Sequence, residues 1–259
     1  GIQMLKLMKY EFIHSMRSFL ISFCVFWGAC LLLPLFTEEI IPDIPLLSFM
    51  VAFGFTVLVM GISLALIISI FTHYYHSMFK RPAYLTLTLP VSSLQLISSK
   101  LIVSFIWLIL GGIALFFGIF LMGIMISLLT HEVSIVEMIV NIPNVLSGLW
   151  KIISQDILGF MNTCLMVILE VYAMIITIYF SLTVVHTKIC RHHRVVLGIV
   201  IWIFLGIFIN WARVFVVGYN VSANDLTGIM IGYNLFNLIY SFVLTFVTVY
   251  ILDHYIEIE

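Results

Sequence analysis

The chain has 259 residues, of which 63% are hydrophobic and only 9% are charged. Soluble proteins carry roughly 25% charged residues, because a surface that faces water needs them. The composition therefore excludes a water-soluble globular domain and predicts an all-α, polytopic membrane protein. The formal net charge is −1, and we expect no nucleic-acid partner.

Six stretches of the sequence are poor in charge and long enough to cross a bilayer. A helix needs about 20 apolar residues to span roughly 30 Å of hydrocarbon. The predicted transmembrane spans are residues 19–36, 46–71, 101–129, 157–186, 195–217 and 227–252. They use most of the chain, so residues 1–259 are predicted to form a single transmembrane domain surrounded by the lipid bilayer.

The segment before the first span predicts a helix that lies in the membrane interface. Apolar residues recur there at steps of three and four, and basic residues occupy the other faces. The apolar series consists of Leu5, Met8, Phe12, Met16 and Phe19. This pattern is typical of an amphipathic interfacial helix, which we predict at residues 4–18.

The basic residues predict the orientation of the chain. Of the 11 Lys and Arg residues, all but Lys151 and Arg213 lie in the N-terminal segment or near the connections after the second and fourth spans. Positively charged loops stay in the cytoplasm. Both termini are therefore predicted to be cytoplasmic, and residues 131–156 are predicted to form an external loop.

The predicted cytoplasmic loop at residues 72–100 is unusually rich in apolar side chains. Its large side chains and prolines are Tyr74, Tyr75, Met78, Phe79, Pro82, Tyr84 and Pro90. Apolar groups in a water-facing connection cost free energy unless a partner or the membrane interface covers them. The loop is therefore the first candidate for a functional surface.

The residues from Met78 to Leu101 carry a specific resemblance. The run Met78-Phe-Lys-Arg-Pro-Ala-Tyr-Leu-Thr-Leu-Thr-Leu-Pro-Val-Ser92, closed by Ser99-Lys-Leu101, resembles the segment after the second span in permease subunits of type-2 ABC exporters. Bacterial exporters of antimicrobial peptides and peptide toxins are the most similar members. The chain length, the amphipathic N-terminal segment and the six predicted spans agree with that family.

The resemblance implies a function that is shared with other chains. In that family the loop forms a coupling helix that docks on an ATPase subunit. It implies apolar anchors at Phe79 and Tyr84 and rim charges at Lys80 and Arg81, within the docking set Met78, Phe79, Lys80, Arg81, Tyr84, Leu85 and Leu87. It also implies a second permease, as homo- or heterodimer, in a bacterial plasma membrane.

ATP hydrolysis is expected on the partner chain. The sequence contains no Gly-x-x-x-x-Gly-Lys-Ser/Thr loop, the segment that would cradle nucleotide phosphates. We therefore expect no cofactor in this chain, ATP and Mg on a cytoplasmic ATP-binding subunit, and no enzyme activity of the chain itself. The expected substrate is hydrophobic or amphipathic and peptide-like.

Polar side chains inside the spans suggest a substrate path. They form stripes at helical spacing in the fourth and sixth spans, which face other helices rather than lipid. The candidate residues are Thr163, Glu170, Thr177, Asn234, Asn237 and Ser241. Arg213 is expected to reach the headgroups rather than Glu170, because helix geometry separates the two by roughly 10–15 Å in depth.

Other readings of the same residues remain open. Glu170 has either a transport role or a structural one, as a protonated side chain bonded to a neighbouring helix. An ion-coupled secondary transporter that uses Glu170 is the main functional alternative. An intramembrane protease is disfavoured. Glu38-Glu39 resembles the paired glutamates of the CAAX-protease family, but the arginine that this family places a few residues later is absent. The histidine pairs 73/76 and 192/193 are too few ligands for a metal site.

Overall fold

The computed structural model describes residues 2–36, 46–80, 92–130, 135–187, 193–220 and 226–255, and these are organised as α-helices. The helices are α1 (Ile2–Leu32), α2 (Leu46–Phe79), α3 (Ser93–Thr130), α4 (Ile135–Gln155), α5 (Ile157–Val185), α6 (Arg194–Asn220) and α7 (Leu226–His254). A short 3-10 helix, Leu33–Phe36, follows α1.

Six of these helices, α1, α2, α3, α5, α6 and α7, are long and apolar enough to cross a membrane. The predictions of an all-α chain and of six spans are confirmed. The chain is a multi-pass transmembrane protein. The remaining helix among the described residues, α4, is amphipathic and is not one of the candidate spans.

The N-terminal segment differs from the prediction, because it does not form a separate interfacial helix. Helix α1 runs without a break from Ile2 to Leu32. The sequence from Ile2 to Trp27 has no glycine or proline to interrupt it. Part of the predicted apolar stripe packs inside the protein, since Phe12 and Phe19 both stack on Trp107 with ring centroids 4.6 Å apart.

The connection between α2 and α3 also differs from the prediction. Helix α2 continues to Phe79 and α3 begins at Ser93, so both ends of the predicted loop 72–100 are helical. Residues 72–79 contain no glycine or proline, and Pro82 is the first helix breaker. The second predicted span therefore ends before α2 does, and the third predicted span begins after α3 does.

One compact unit comprises residues 12–69 and 106–155. Its core contains Trp107, whose indole Nε1 donates a hydrogen bond of 2.8 Å to Ser15 Oγ. Trp27 Nε1 donates to the Ala114 carbonyl oxygen at 2.9 Å. At Gly118 an added Cβ would lie 2.3 Å from a ring carbon of Phe26. Glycine therefore permits the close approach of α1 and α3 within this unit.

The other unit comprises residues 1–11, 70–105 and 156–259. The second half of α5 is almost wholly buried, from Ala173 to Val185, and α5 packs against α6 and α7. The polar stripe of α7 is buried as well, at Asn234, Asn237, Ser241, Thr245 and Thr248. This unit holds the candidate sites described below.

Candidate functional site

A buried polar network connects the C-terminal end of α2 and the N-terminal end of α3 to the N-terminal part of α1. Lys100 is only 1% exposed; its Nζ donates to Ser77 Oγ at 2.8 Å and forms an ion pair with Glu11. The other carboxylate oxygen of Glu11 lies 2.7 Å from His73 Nε2. A buried cation is stable only when it is paired and hydrogen-bonded, and this network meets both conditions.

Aromatic stacking ties α2 to α5 beside this network. Tyr74 stacks on Tyr179 with ring centroids 3.9 Å apart, and its hydroxyl lies 2.9 Å from Thr183 Oγ1. The Tyr179 hydroxyl lies 2.8 Å from Ser104 Oγ on α3. Buried tyrosines need such partners for their hydroxyls. The last turns of α2, the first turns of α3 and the end of α5 are therefore held together.

The predicted docking residues fall into three groups. Met78 and Phe79 are 0% exposed, and Phe79 stacks on His186 with ring centroids 3.9 Å apart. In this conformation neither side chain offers apolar surface to a partner, so the expectation that they are exposed is corrected. Lys80 is exposed, with its Nζ 5.4 Å from the Tyr75 ring centroid. Arg81, Tyr84, Leu85 and Leu87 lie outside the described residues.

Glu170 and Arg213 form an ion pair, which corrects the expectation that they lie at different depths. One carboxylate oxygen of Glu170 also accepts a hydrogen bond of 2.7 Å from Asn237 Nδ2. The depth argument counted only the rise between Cα atoms and neglected the reach of both side chains. Charges inside a membrane protein find partners because an isolated one is costly there.

This ion pair lines a cleft between α5, α6 and α7. The cleft has a volume of about 740 Å³, and its walls include Trp202, Trp211 and Tyr240. The Glu170 side chain is 51% exposed and the Arg213 side chain only 12%, so the carboxylate is the more open charge. A second cleft of about 480 Å³ is also lined by Glu170 and Arg213.

The other predicted path residues differ in their exposure. Asn234, Asn237 and Ser241 on α7 are buried, as is Thr177 on α5, whereas Thr163 is exposed. Among the described residues, three buried atoms of the α7 stripe have no hydrogen-bond partner: Asn234 Oδ1, Asn237 Oδ1 and Ser241 Oγ. Such atoms are rare in proteins. The polar groups of this stripe are therefore only partly paired within the part of the chain that the structure describes.

Sequence reasoning missed Glu11. The signal was present, because Glu11 is the only acidic residue in a segment that otherwise carries basic charges. A carboxylate on an otherwise basic helix indicates a specific cationic partner elsewhere in the chain. The partner Lys100 is 89 residues away, and nothing in the local pattern identifies it.

No protein-family model, curated protein or solved structure matches the chain.

Proposed function

We propose that this chain is the permease subunit of an ATP-driven exporter in a bacterial plasma membrane. Both termini and the connection between α2 and α3 face the cytoplasm in this proposal. A separate ATP-binding subunit supplies ATP hydrolysis with Mg, and a second permease completes the transporter. The substrate is hydrophobic or amphipathic and peptide-like.

The observation that supports this proposal best is the anchoring of the α2–α3 connection at both of its ends. On the α2 side, Tyr74 and Phe79 contact Tyr179 and His186 at the end of α5. On the α3 side, Lys100 binds Glu11 of α1. A partner that displaces this connection would therefore pull on α5 and α1 through these contacts, as well as on α2 and α3, to which the connection is covalently joined.

Helix α7 is linked to the same connection. Ser93, the first residue of α3, donates a hydrogen bond to Asp253 near the end of α7. Helix α7 carries the buried polar stripe with Asn237, which binds Glu170 in the cleft. Helix α7 thus links the N-terminal end of α3 to the proposed substrate path.

The docking surface in this proposal is the segment between the two anchored ends. Lys80 is its exposed charge at the end of α2, and Arg81, Tyr84, Leu85 and Leu87 supply the rest. Phe79 is assigned a structural role instead, because it is buried on His186. Interfaces concentrate their binding energy in a few aromatic and arginine side chains, so Tyr84 and Arg81 are the residues to test.

The test is copurification with an ATP-binding chain. Full-length, affinity-tagged protein is purified from its native membrane, and the copurifying proteins are searched for a Gly-x-x-x-x-Gly-Lys-Ser/Thr sequence. The double variant Arg81→Ala/Tyr84→Ala should lose that partner while inserting normally. Lys151→Ala on α4 is the matched control and should retain it. If no ATP-binding chain copurifies with the wild-type protein, the proposal is wrong.

An ion-coupled secondary transporter is the second candidate, and the half-exposed carboxylate of Glu170 in the cleft favours it. Such a carrier needs no other subunit. In liposomes that contain only this chain, an imposed proton gradient would then drive accumulation of a labelled amphipathic peptide, and Glu170→Gln would abolish it. The exporter proposal expects no accumulation without the ATP-binding partner.

A further inference from the structure

Helix α4 (Ile135–Gln155) is exposed in a way that distinguishes it from the rest of the chain. Its described side chains are exposed with one exception, Ile153, which is half-buried. The uncovered apolar side chains include Ile139, Ile142, Leu146 and Leu149, each 44% to 59% exposed. An apolar surface of this size on a helix requires a partner.

With the exception of Val140, the apolar and polar residues of α4 lie on separate faces. Positions 139, 142, 146 and 149 follow the spacing of one helical face, whereas the polar residues Glu137, Asn144, Lys151 and Gln155 follow the spacing of the opposite one. Asn144 Nδ2 and Asn141 Oδ1 are hydrogen-bonded to each other at 3.3 Å, on the polar side. The helix is therefore suited to a boundary between an apolar medium and water.

The connections to the neighbouring helices restrict where α4 can lie. Four residues separate Thr130, the last residue of α3, from the first residue of α4, and Asp156 alone separates Gln155 from α5. Four extended residues reach about 14 Å, so both ends of α4 stay near the ends of membrane-spanning helices. A helix of 21 residues is about 30 Å long. If it does not span, it must lie along the membrane surface.

A spanning orientation is disfavoured by the polar face. It would place Asn141 and Asn144 within the hydrocarbon and the charged residues Glu137 and Lys151 nearer its two edges, and polar groups that face lipid there are costly. In the membrane plane the same residues face water. Trp150, which is 68% exposed, has the side chain that membrane interfaces favour.

We propose that α4 is an in-plane membrane anchor whose apolar face is covered by the acyl-chain and headgroup boundary of the bilayer. The opposite charges of Glu137 and Lys151 give α4 no net charge, so the anchor does not depend on anionic lipid. The proposal is independent of the exporter function.

The test measures the depth of individual α4 positions in the full-length protein. The four native cysteines are replaced, and a spin label is attached at Leu146→Cys or Leu149→Cys, with Asn144→Cys and Lys151→Cys as matched controls on the polar face. The protein is reconstituted into phosphatidylcholine vesicles, with or without phosphatidylglycerol. Collisional relaxation by oxygen, which concentrates in lipid, is compared with relaxation by a water-soluble nickel chelate.

The anchor predicts a several-fold higher oxygen-to-nickel ratio at 146 and 149 than at 144 and 151, unchanged by phosphatidylglycerol or salt. Three results would overturn it. Nickel access at all four positions means that α4 stands in water. Shielding of 146 and 149 from both reagents means that a protein surface, such as a second copy, covers them. High oxygen access at 144 and 151 means that α4 spans the membrane.

Discussion

Lys100 is a buried cation whose stability depends on two side chains from other helices. Its Nζ is bound by Ser77 and Glu11, and Glu11 in turn contacts His73. Removing one member of a buried ion pair is more costly than removing both, because the remaining charge stays buried without its counter-ion. This asymmetry makes the network testable by mutation.

Lys100→Met should therefore destabilise the protein by about 3 kcal/mol. The apolar side chain preserves volume but removes the cation that pairs with the buried Glu11 carboxylate. The double variant Glu11→Gln/Lys100→Met should recover much of the loss, and Lys9→Met, at an exposed position of α1, should have no effect. Thermal unfolding in detergent micelles measures all three. Equal transition temperatures for Lys100→Met and the wild type would contradict the network.

The Glu170–Arg213 pair should behave differently, because Glu170 is half exposed. Glu170→Gln, which keeps the contact with Asn237, should destabilise the protein less than Arg213→Gln, which leaves the Glu170 carboxylate without its cationic partner inside the membrane. The double variant should cost less than the sum of the two. A double-mutant cycle on unfolding in micelles checks this. Additive losses would show that the two side chains do not interact in the membrane.

At the scale of helices, the packing of α3 depends on where its glycines fall. A Cβ at Gly118 would clash with Phe26, which is buried, whereas a Cβ at Gly112 would have nothing within 4 Å. Gly118→Ala should therefore destabilise the protein by about 1–3 kcal/mol, and Gly112→Ala should leave it unchanged or slightly more stable. Comparing the unfolding transitions of the two variants isolates the effect of the close approach between α1 and α3, because both glycines lie on the same helix. Equal losses would contradict it.

The helices themselves could be predicted from sequence to different degrees. The six spans follow from long apolar stretches, since crossing the hydrocarbon imposes a minimum length. The C-terminal end of α2 and the N-terminal end of α3 could not be located from sequence. The residues from Thr72 to Phe79 and from Ser93 to Lys100 suit either a helix or a loop. Their helical form is supported by packing of Tyr74 and Phe79 on α5, which no local pattern shows.

The candidate sites were predictable only residue by residue. Glu170 and the α7 stripe stand out as polar groups inside apolar spans. The ion pair between Glu170 and Arg213 could not be predicted, because the sequence gives neither the tilt of α5 and α6 nor the reach of the Arg213 side chain. The network at Glu11 joins residues of three helices that are distant in sequence.

At the scale of the whole chain, the proposed orientation has a direct test. Lys80→Cys, at an exposed position, and Ser222→Cys are introduced separately into a cysteine-free background. A membrane-impermeant maleimide added to intact cells should label Ser222→Cys alone, and Lys80→Cys should react only after the membrane is opened. Reaction of both from the same side would contradict the orientation that the basic residues predict.

The ion pair between α1 and α3 also has a consequence for how the chain is made. Glu11 and Lys100 are separated by 89 residues, and ribosomes add about 5–20 residues per second. For roughly 5–18 s of synthesis, Glu11 therefore exists before Lys100 has been made. The first helix must enter the membrane with its carboxylate still bound to water or headgroups, and it reaches its final position only when the third spanning helix arrives. Deletions that remove Glu11 should therefore impair assembly as severely as a substitution in the core.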